Sequence, residues 1–227
     1  MRIISIRRGF ASDHSSTSYE FLSVDRQLTK AERAEVSRLS SRAHVTARRA
    51  DFLYHVDGYD IPGGWEPLMA RYYDAMYSES YDWWTLALAF NAEPDKCELL
   101  RQYGFSGVDD LGVYVSETEQ RVIVAISCRI DMGMMAPDNN GYYDDYDDGE
   151  DEEDDADVEG TLVLTGDGLL DILVKIRKQI INGDYRALYA VWEMYGNDEE
   201  DEPPPKPEEK NSGNETVSDF KSYLTSY

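Results

Sequence analysis

The residue types that do chemistry are few in this chain and are scattered along it. Asp13-His14-Ser15-Ser16 brings together an acid, an imidazole and two hydroxyls, the materials of nucleophilic catalysis. Adjacent positions rarely meet with the geometry of a triad, however, and Ser and Asp clusters are the usual material of turns and caps. His44 and His55 would approach one another across paired strands and, with Asp51 or Asp57, offer metal ligands. With only three histidines in the chain and no HExxH or HxH spacing, half-buried histidines without a metal are the simpler expectation. Between Asp144 and Glu159 twelve acidic side chains fall within sixteen residues, so oxygen ligands for calcium or magnesium abound. The run lacks the D-x-[DN]-x-[DN]-G loop with its spaced glutamate, which leaves diffuse cation condensation rather than an ordered cage. No metal site and no cofactor is therefore expected. Phosphate-cradling glycine loops and nucleotide or flavin signatures are missing too, no catalytic residue is assigned, and an enzyme is the less favoured expectation.

The most distinctive stretch is Gly183-Asp184-Tyr185-Arg186-Ala187-Leu188-Tyr189-Ala190-Val191-Trp192. Tyr, Trp and Arg are enriched where partner surfaces bind tightly, because they bury large areas with few rotors. Tyr185, Arg186, Tyr189 and Trp192 are therefore the candidate partner-binding residues. The same residues are good core material, and helix packing alone would bury Leu188 and Trp192, so both readings stand at this point.

Charge narrows the function classes. The Asp144–Glu159 run carries −12 of the formal −24, and Asp198–Lys210, which encloses Pro203, Pro204, Pro205 and Pro207, carries −5, which leaves −7 for everything else. The folded body is thus only ordinarily acidic, with the charge held in segments not expected to pack. Residues 1–50 are +5. Cys97 and Cys128 form no CxxC pair and cannot build a structural zinc site. No stretch approaches the roughly twenty apolar residues of a membrane span, and Ile3-Ile4-Ser5-Ile6 is too short for a signal peptide. A cytoplasmic protein without membrane contact is expected.

The elements that must position these residues follow from periodicity. Tyr19–Val24 reads as a strand, and Thr29 with Glu32 gives a capping box that opens a helix over Lys30–Ser40 with Val36 and Leu39 inward. His44–Arg49, with Phe52–Val56, reads as extended. Leu68, Met69, Tyr72, Tyr73 and Met76 recur at helical spacing, so a helix is predicted over Trp65–Met76. Trp83–Phe90 reads as a strand and Asp95–Gln102 as a short helix. Leu111–Val115 and Arg121–Ile130 read as a hairpin across a polar connection, and Val122-Ile123-Val124-Ala125-Ile126, apolar on both faces, as a central strand. Thr161–Thr165 reads as a further strand. A helix marked by Leu169, Leu173, Ile176 and Ile180 ends at Asn182-Gly183, and Asp184 caps the next. The prolines predict an extended, semi-rigid linker, and Val217–Leu224 an apolar element that docks back on the body. The sum is an α+β fold around a mixed, largely antiparallel sheet. Its parts are a basic extension (1–18), one domain (19–197) with a disordered acidic loop (138–159), an acidic Pro-rich linker (198–216) and a C-terminal docking segment (217–227).

Several phrases resemble an uncharacterised family of bacterial proteins: Tyr19-Glu20-Phe21-Leu22-Ser23-Val24-Asp25-Arg26 followed by Leu28-Thr29; Ser40-Ser41-Arg42-Ala43; Leu68-Met69-Ala70-Arg71-Tyr72-Tyr73-Asp74-Ala75; and Asn182-Gly183-Asp184-Tyr185-Arg186-Ala187-Leu188-Tyr189. The Glu202-Pro203-Pro204 segment with its closing apolar helix is similar as well. The resemblance implies no known activity and no catalytic residue. It implies a neighbourhood of SWIM-type zinc-finger proteins and so a place in a multi-component system of conflict or defence. The basic extension and the long acidic insertion depart from that pattern.

The expectation is therefore a cytoplasmic interaction or accessory module that binds a partner protein. One alternative is an acidic nucleic-acid mimic that inhibits a DNA-binding protein, which needs carboxylates ordered at phosphate-like intervals. Another is an enzyme with a site assembled from distant residues such as His44, His55 and Asp57. Direct nucleic-acid binding is not expected, and a small-molecule substrate is unknown.

Overall fold

The computed structural model describes residues 17–54, 60–80, 83–130, 168–196 and 202–225. The Asp13–Ser16 cluster, His55, Asp57, the Asp144–Glu159 run, Thr161–Thr165 and nearly all of the basic extension lie outside them. The expected α+β architecture is present: helices pack on both faces of a nine-stranded sheet in which every described pairing is antiparallel.

The sheet is built from β1 (Thr17–Leu22), β2 (Ala43–Val45), β3 (Arg49–Tyr54), β4 (Ala75–Ser80), β5 (Trp83–Asn91), β6 (Phe105–Ser106), β7 (Gly112–Glu117), β8 (Arg121–Ile130) and β9 (Leu224–Thr225). Their order is β2-β3-β1-β4-β5-β8-β7-β6, and β9 extends the sheet beside the far end of β8, with Arg129 opposite Thr225 and Ile130 opposite Leu224. The helices are α1 (Lys30–Ser37), α2 (Glu66–Arg71), α3 (Pro94–Arg101), α4 (Leu169–Ile181), α5 (Arg186–Tyr195) and α6 (Asn214–Tyr223).

Strand alternation sorts the apolar side chains into two cores. On one face Tyr77, Trp84, Leu86, Leu88, Val124 and Ile126 pack with Leu173, Ile176, Leu188 and Phe220 of α4, α5 and α6. On the other, Phe21, Phe52, Met76, Ala87 and Ile123 meet Val36 of α1 and Leu68 and Met69 of α2. The two-faced β8 is central, between β5 and β7, as its double apolar pattern requires. At the head of α1 the capping box forms: the Glu32 amide donates to the Thr29 hydroxyl, and the Thr29 amide donates to the Glu32 carboxylate at 2.8 Å.

The predicted helix over Trp65–Met76 is corrected. Helix stops at Arg71, and Ala75–Ser80 forms β4, paired with β1 and β5. Tyr72, Tyr73 and Met76 are all buried in one core, so their spacing recorded burial rather than conformation. Strand pairing on both sides supplies the backbone partners that a longer helix would have supplied itself. Ser78, Glu79 and Ser80 hid this strand by interrupting its apolar alternation.

Asp74, fully buried at the start of β4, locks the layers together. Its carboxylate accepts from the amides of Val24 (2.7 Å) and Asp25 (2.9 Å) and from Arg121 (2.7 Å). Arg121 also donates to the carbonyls of Met69 and Tyr73. Arg177 of α4 forks onto Asp25 at 2.9 and 2.6 Å, donates to the Ala89 carbonyl and passes 3.7 Å from Asp74. Two cations and two carboxylates thereby fix α4 to the sheet.

Candidate functional site

The arrangement that stands out lies where α4 ends and α5 begins. Helix α4 ends at Asn182-Gly183, where Gly183 takes a φ of +72°, a left-handed conformation that glycine adopts without Cβ strain. Asp184 and Tyr185 follow, and α5 begins at Arg186. The cap position falls on Tyr185, which makes no side-chain cap bond; the expected capping comes from Asp184 one residue earlier, whose Oδ1 accepts from the free Arg186 amide at 3.3 Å. The same carboxylate holds the Arg186 guanidinium at 2.9 and 2.7 Å. The hydrogen bonds from Arg186 hold the Asp184 carboxyl below the ordinary carboxylate range.

Aimed by that pair, Arg186 reaches the chain that returns after α5. It donates to the carbonyls of Lys210 (3.2 Å) and Ser212 (2.6 Å) and to the Asn214 side chain. Gln179 donates to the Gly213 carbonyl at 2.9 Å. Lys210 answers from the other side, its Nζ donating to the carbonyls of Asn182 and Gly183 at 3.3 and 3.0 Å, where a cation meets the negative end of α4. Tyr185 stacks on Tyr103, with centroids 5.1 Å apart and planes 22° apart. The Tyr103 hydroxyl donates to the carbonyl of Pro205 at 3.0 Å. Burial first, with Tyr185 and Asp184 alongside, pushes that hydroxyl up to about 12, so it remains a donor at neutral pH.

The described part of the expected 198–216 linker is free of helix and strand only as far as Gly213, since α6 opens at Asn214, and this strap, residues 202–213, does not stand away from the body: Pro204 is buried and the strap is bonded along its length. Net charge gave no warning of this, because the contacts fall on main-chain carbonyls and on Lys210. Beyond the strap, α6 buries Val217 and Phe220 against the α4–α5 layer, and Tyr195 donates to the carbonyl of Thr225 in β9 at 2.8 Å.

Of the four residues singled out in the sequence, Tyr185 and Arg186 meet at this site. Tyr189 is half-buried against the main core, and Trp192, also buried, packs edge-on against Phe105 at 5.0 Å. Sequence inspection missed Tyr103, Gln179 and Lys210. Only Lys210 had a signal, as a cation closing an acidic, Pro-rich stretch.

His44 sits on β2, largely exposed, with its Nδ1 3.1 Å from Asp51 on β3. Burial raises the Asp51 carboxyl, against the pull of His44. Among the described residues no group of three or more His, Cys, Asp or Glu side chains is arranged to hold a metal ion. Cys97 and Cys128 are both buried free thiols, and burial pushes both thiols up. No described helix is long and apolar enough to cross a membrane.

Searches against family models, curated proteins and solved structures find no match to this chain.

Proposed function

We propose that the protein is a non-catalytic module that binds a partner protein through the layer formed by α4, α5 and the strap. The observation that carries this is the way Arg186, Gln179 and Tyr103 hold an extended segment by its main-chain carbonyls. Carbonyls are common to every peptide, so a surface built this way suits the capture of extended chains. Tyr185 and Arg186 supply the aromatic and guanidinium types that dominate tight interfaces. By its resemblance to the bacterial family noted above, the module belongs to a multi-component system, and we place it in the cytoplasm.

The test is co-elution. Full-length protein, tagged and isolated from its native cells at low and at high salt, is expected to elute with one protein in fixed ratio, with ionic partners leaving first as salt rises. A lone monomer at every salt concentration, turning over a small molecule, would overturn it.

A further inference from the structure

The strap has the signature of a polyproline II ligand sitting in an aromatic seat. Proline rings hold φ near −65°, so Pro203-Pro204-Pro205-Lys206-Pro207 is predisposed to that left-handed helix, with about three residues per turn and no internal hydrogen bonds. Burial along the strap repeats with this period: Pro204 is buried, Pro207, Lys210 and Gly213 are half-buried, and the residues between them are exposed. One edge of the strap therefore faces the body throughout. At its proline end the Tyr103 hydroxyl bonds the Pro205 carbonyl, and Tyr103 stacks on Tyr185. A polyproline II helix leaves its carbonyls without internal partners, so the Pro205 carbonyl is a free acceptor, and a tyrosine hydroxyl kept protonated by burial is a matched donor. At the other end Lys210 sits on the carbonyls that close α4. The inward positions read Pro-x-x-Pro-x-x-Lys.

We infer that the Tyr103–Tyr185 seat, together with the C-terminal end of α4, is a binding site for a proline-rich extended peptide of a partner protein, of the form Pro-x-x-Pro-x-x-Lys or Arg, which the chain's own strap occupies in cis. This rests on the partner-binding reading and names the partner's chemistry. The body reads the strap through its carbonyls, apart from the contact to Asn214, and the strap's own reading side chain is Lys210, so a foreign segment with the same spacing makes the same bonds. A tethered segment competes at an effective concentration of order millimolar, so a free peptide enters only when the strap is loosened. The strap's own Pro204, Pro207 and Lys210 are the latch, whereas Arg186, oriented by Asp184, grips the carbonyls at positions 210 and 212 that either segment offers.

The test uses the full-length chain and a fluorescent peptide with the sequence of residues 202–213, read by anisotropy. Pro204→Ala/Pro207→Ala, made in the strap of the protein and not in the peptide, is expected to bind it at least tenfold more tightly than the wild type. Lys210→Met, which also loosens the strap without altering the body, is expected to do the same, so the measurement survives if the proline variant folds poorly. Adding Tyr103→Phe, which removes only the hydroxyl, is expected to weaken binding about fivefold, as loss of one hydrogen bond would. A peptide with alanine at positions 204 and 207 is expected not to bind. Equal binding by latched and unlatched proteins, indifference to Tyr103→Phe, or equal binding of the alanine peptide would each overturn the assignment. So would a strap-exchanged dimer of the strap variants that excludes the peptide. A partner that co-elutes with the wild type and is not displaced by the peptide would leave the interaction module standing and remove this site. Peptide binding with no co-eluting partner would do the reverse.

Discussion

The side chains that matter most here are charged groups held out of water by other charged groups. Asp74 is fully buried, and its carboxylate is paired with two amides and Arg121, with Arg177 at 3.7 Å. Arg121→Met removes the nearer cation and leaves that carboxylate underpaid, so a destabilisation of about 3 kcal/mol is expected in urea unfolding, at the low end for a broken buried pair because Arg177 remains. Asp184 makes a pH-dependent contribution. Its carboxyl is held below the ordinary value by Arg186, so it is more acidic folded than unfolded. That contribution is complete above the ordinary carboxylate range and is lost as pH falls through and below it. The NMR chemical shifts of residues 202–213 are expected to move toward those of a free strap on acidification across this window in the wild type. The groups facing Asp184 here are Arg186, Lys210 and Tyr103. In Asp184→Asn the strap is expected to show free-strap shifts at neutral pH already, with little further change on acidification. An unchanged acid profile in that variant would assign the effect elsewhere. Among the described residues His44 pairs with Asp51 and joins no metal-binding group, while His14 and His55 lie outside them.

At the scale of elements, the short turn joining β6 to β7 shows a local rule broken. Asp109 and Asp110 both have positive φ, 55° and 58°, and the Leu111 amide donates to the Val108 carbonyl at 3.0 Å, the geometry of a type I′ turn that favours Asn-Gly. Asp110→Gly is expected to stabilise the fold by about 0.5 kcal/mol, relief of left-handed strain outweighing the added freedom of the unfolded chain. A lower urea midpoint would contradict this. The strain is tolerated because the hairpin is seated: a Cβ on Gly107 would come within 2.0 Å of the Tyr195 carbonyl, so the loop lies directly against the end of α5. Elsewhere local chemistry and tertiary outcome agree. Thr29 and Glu32 open α1 as their spacing requires, and Thr29→Ala is expected to cost about 1 kcal/mol by loss of the cap. Where the two disagree, as at Tyr72–Met76, helical spacing described which side chains are buried while the backbone joined the sheet.

Across the whole molecule the C-terminal segment is part of the fold. Phe220 is fully buried with Leu173, Ile176 and Leu188, and β9 pairs with the end of β8. Phe220→Ala is therefore expected to destabilise the protein by about 3 kcal/mol in one cooperative transition. Two separate transitions would show that α6 folds as its own unit. The α+β class, the capped α1, the central two-faced β8 and the amphipathic α4 and α5 were all legible in the sequence, because each is set by spacing within one segment. The register between segments was not: nothing local says that Tyr103 meets Tyr185, that Asp74 lies between Arg121 and Arg177, or that a charged proline strap adheres to a helix end. Those contacts join residues tens of positions apart, the first by ring stacking, the second by buried ion pairs and the third through main-chain carbonyls, and no local pattern marks the partner of any of them. Composition and periodicity determined what this chain would bury, and only tertiary packing decided which backbone groups the buried and half-buried side chains would grip.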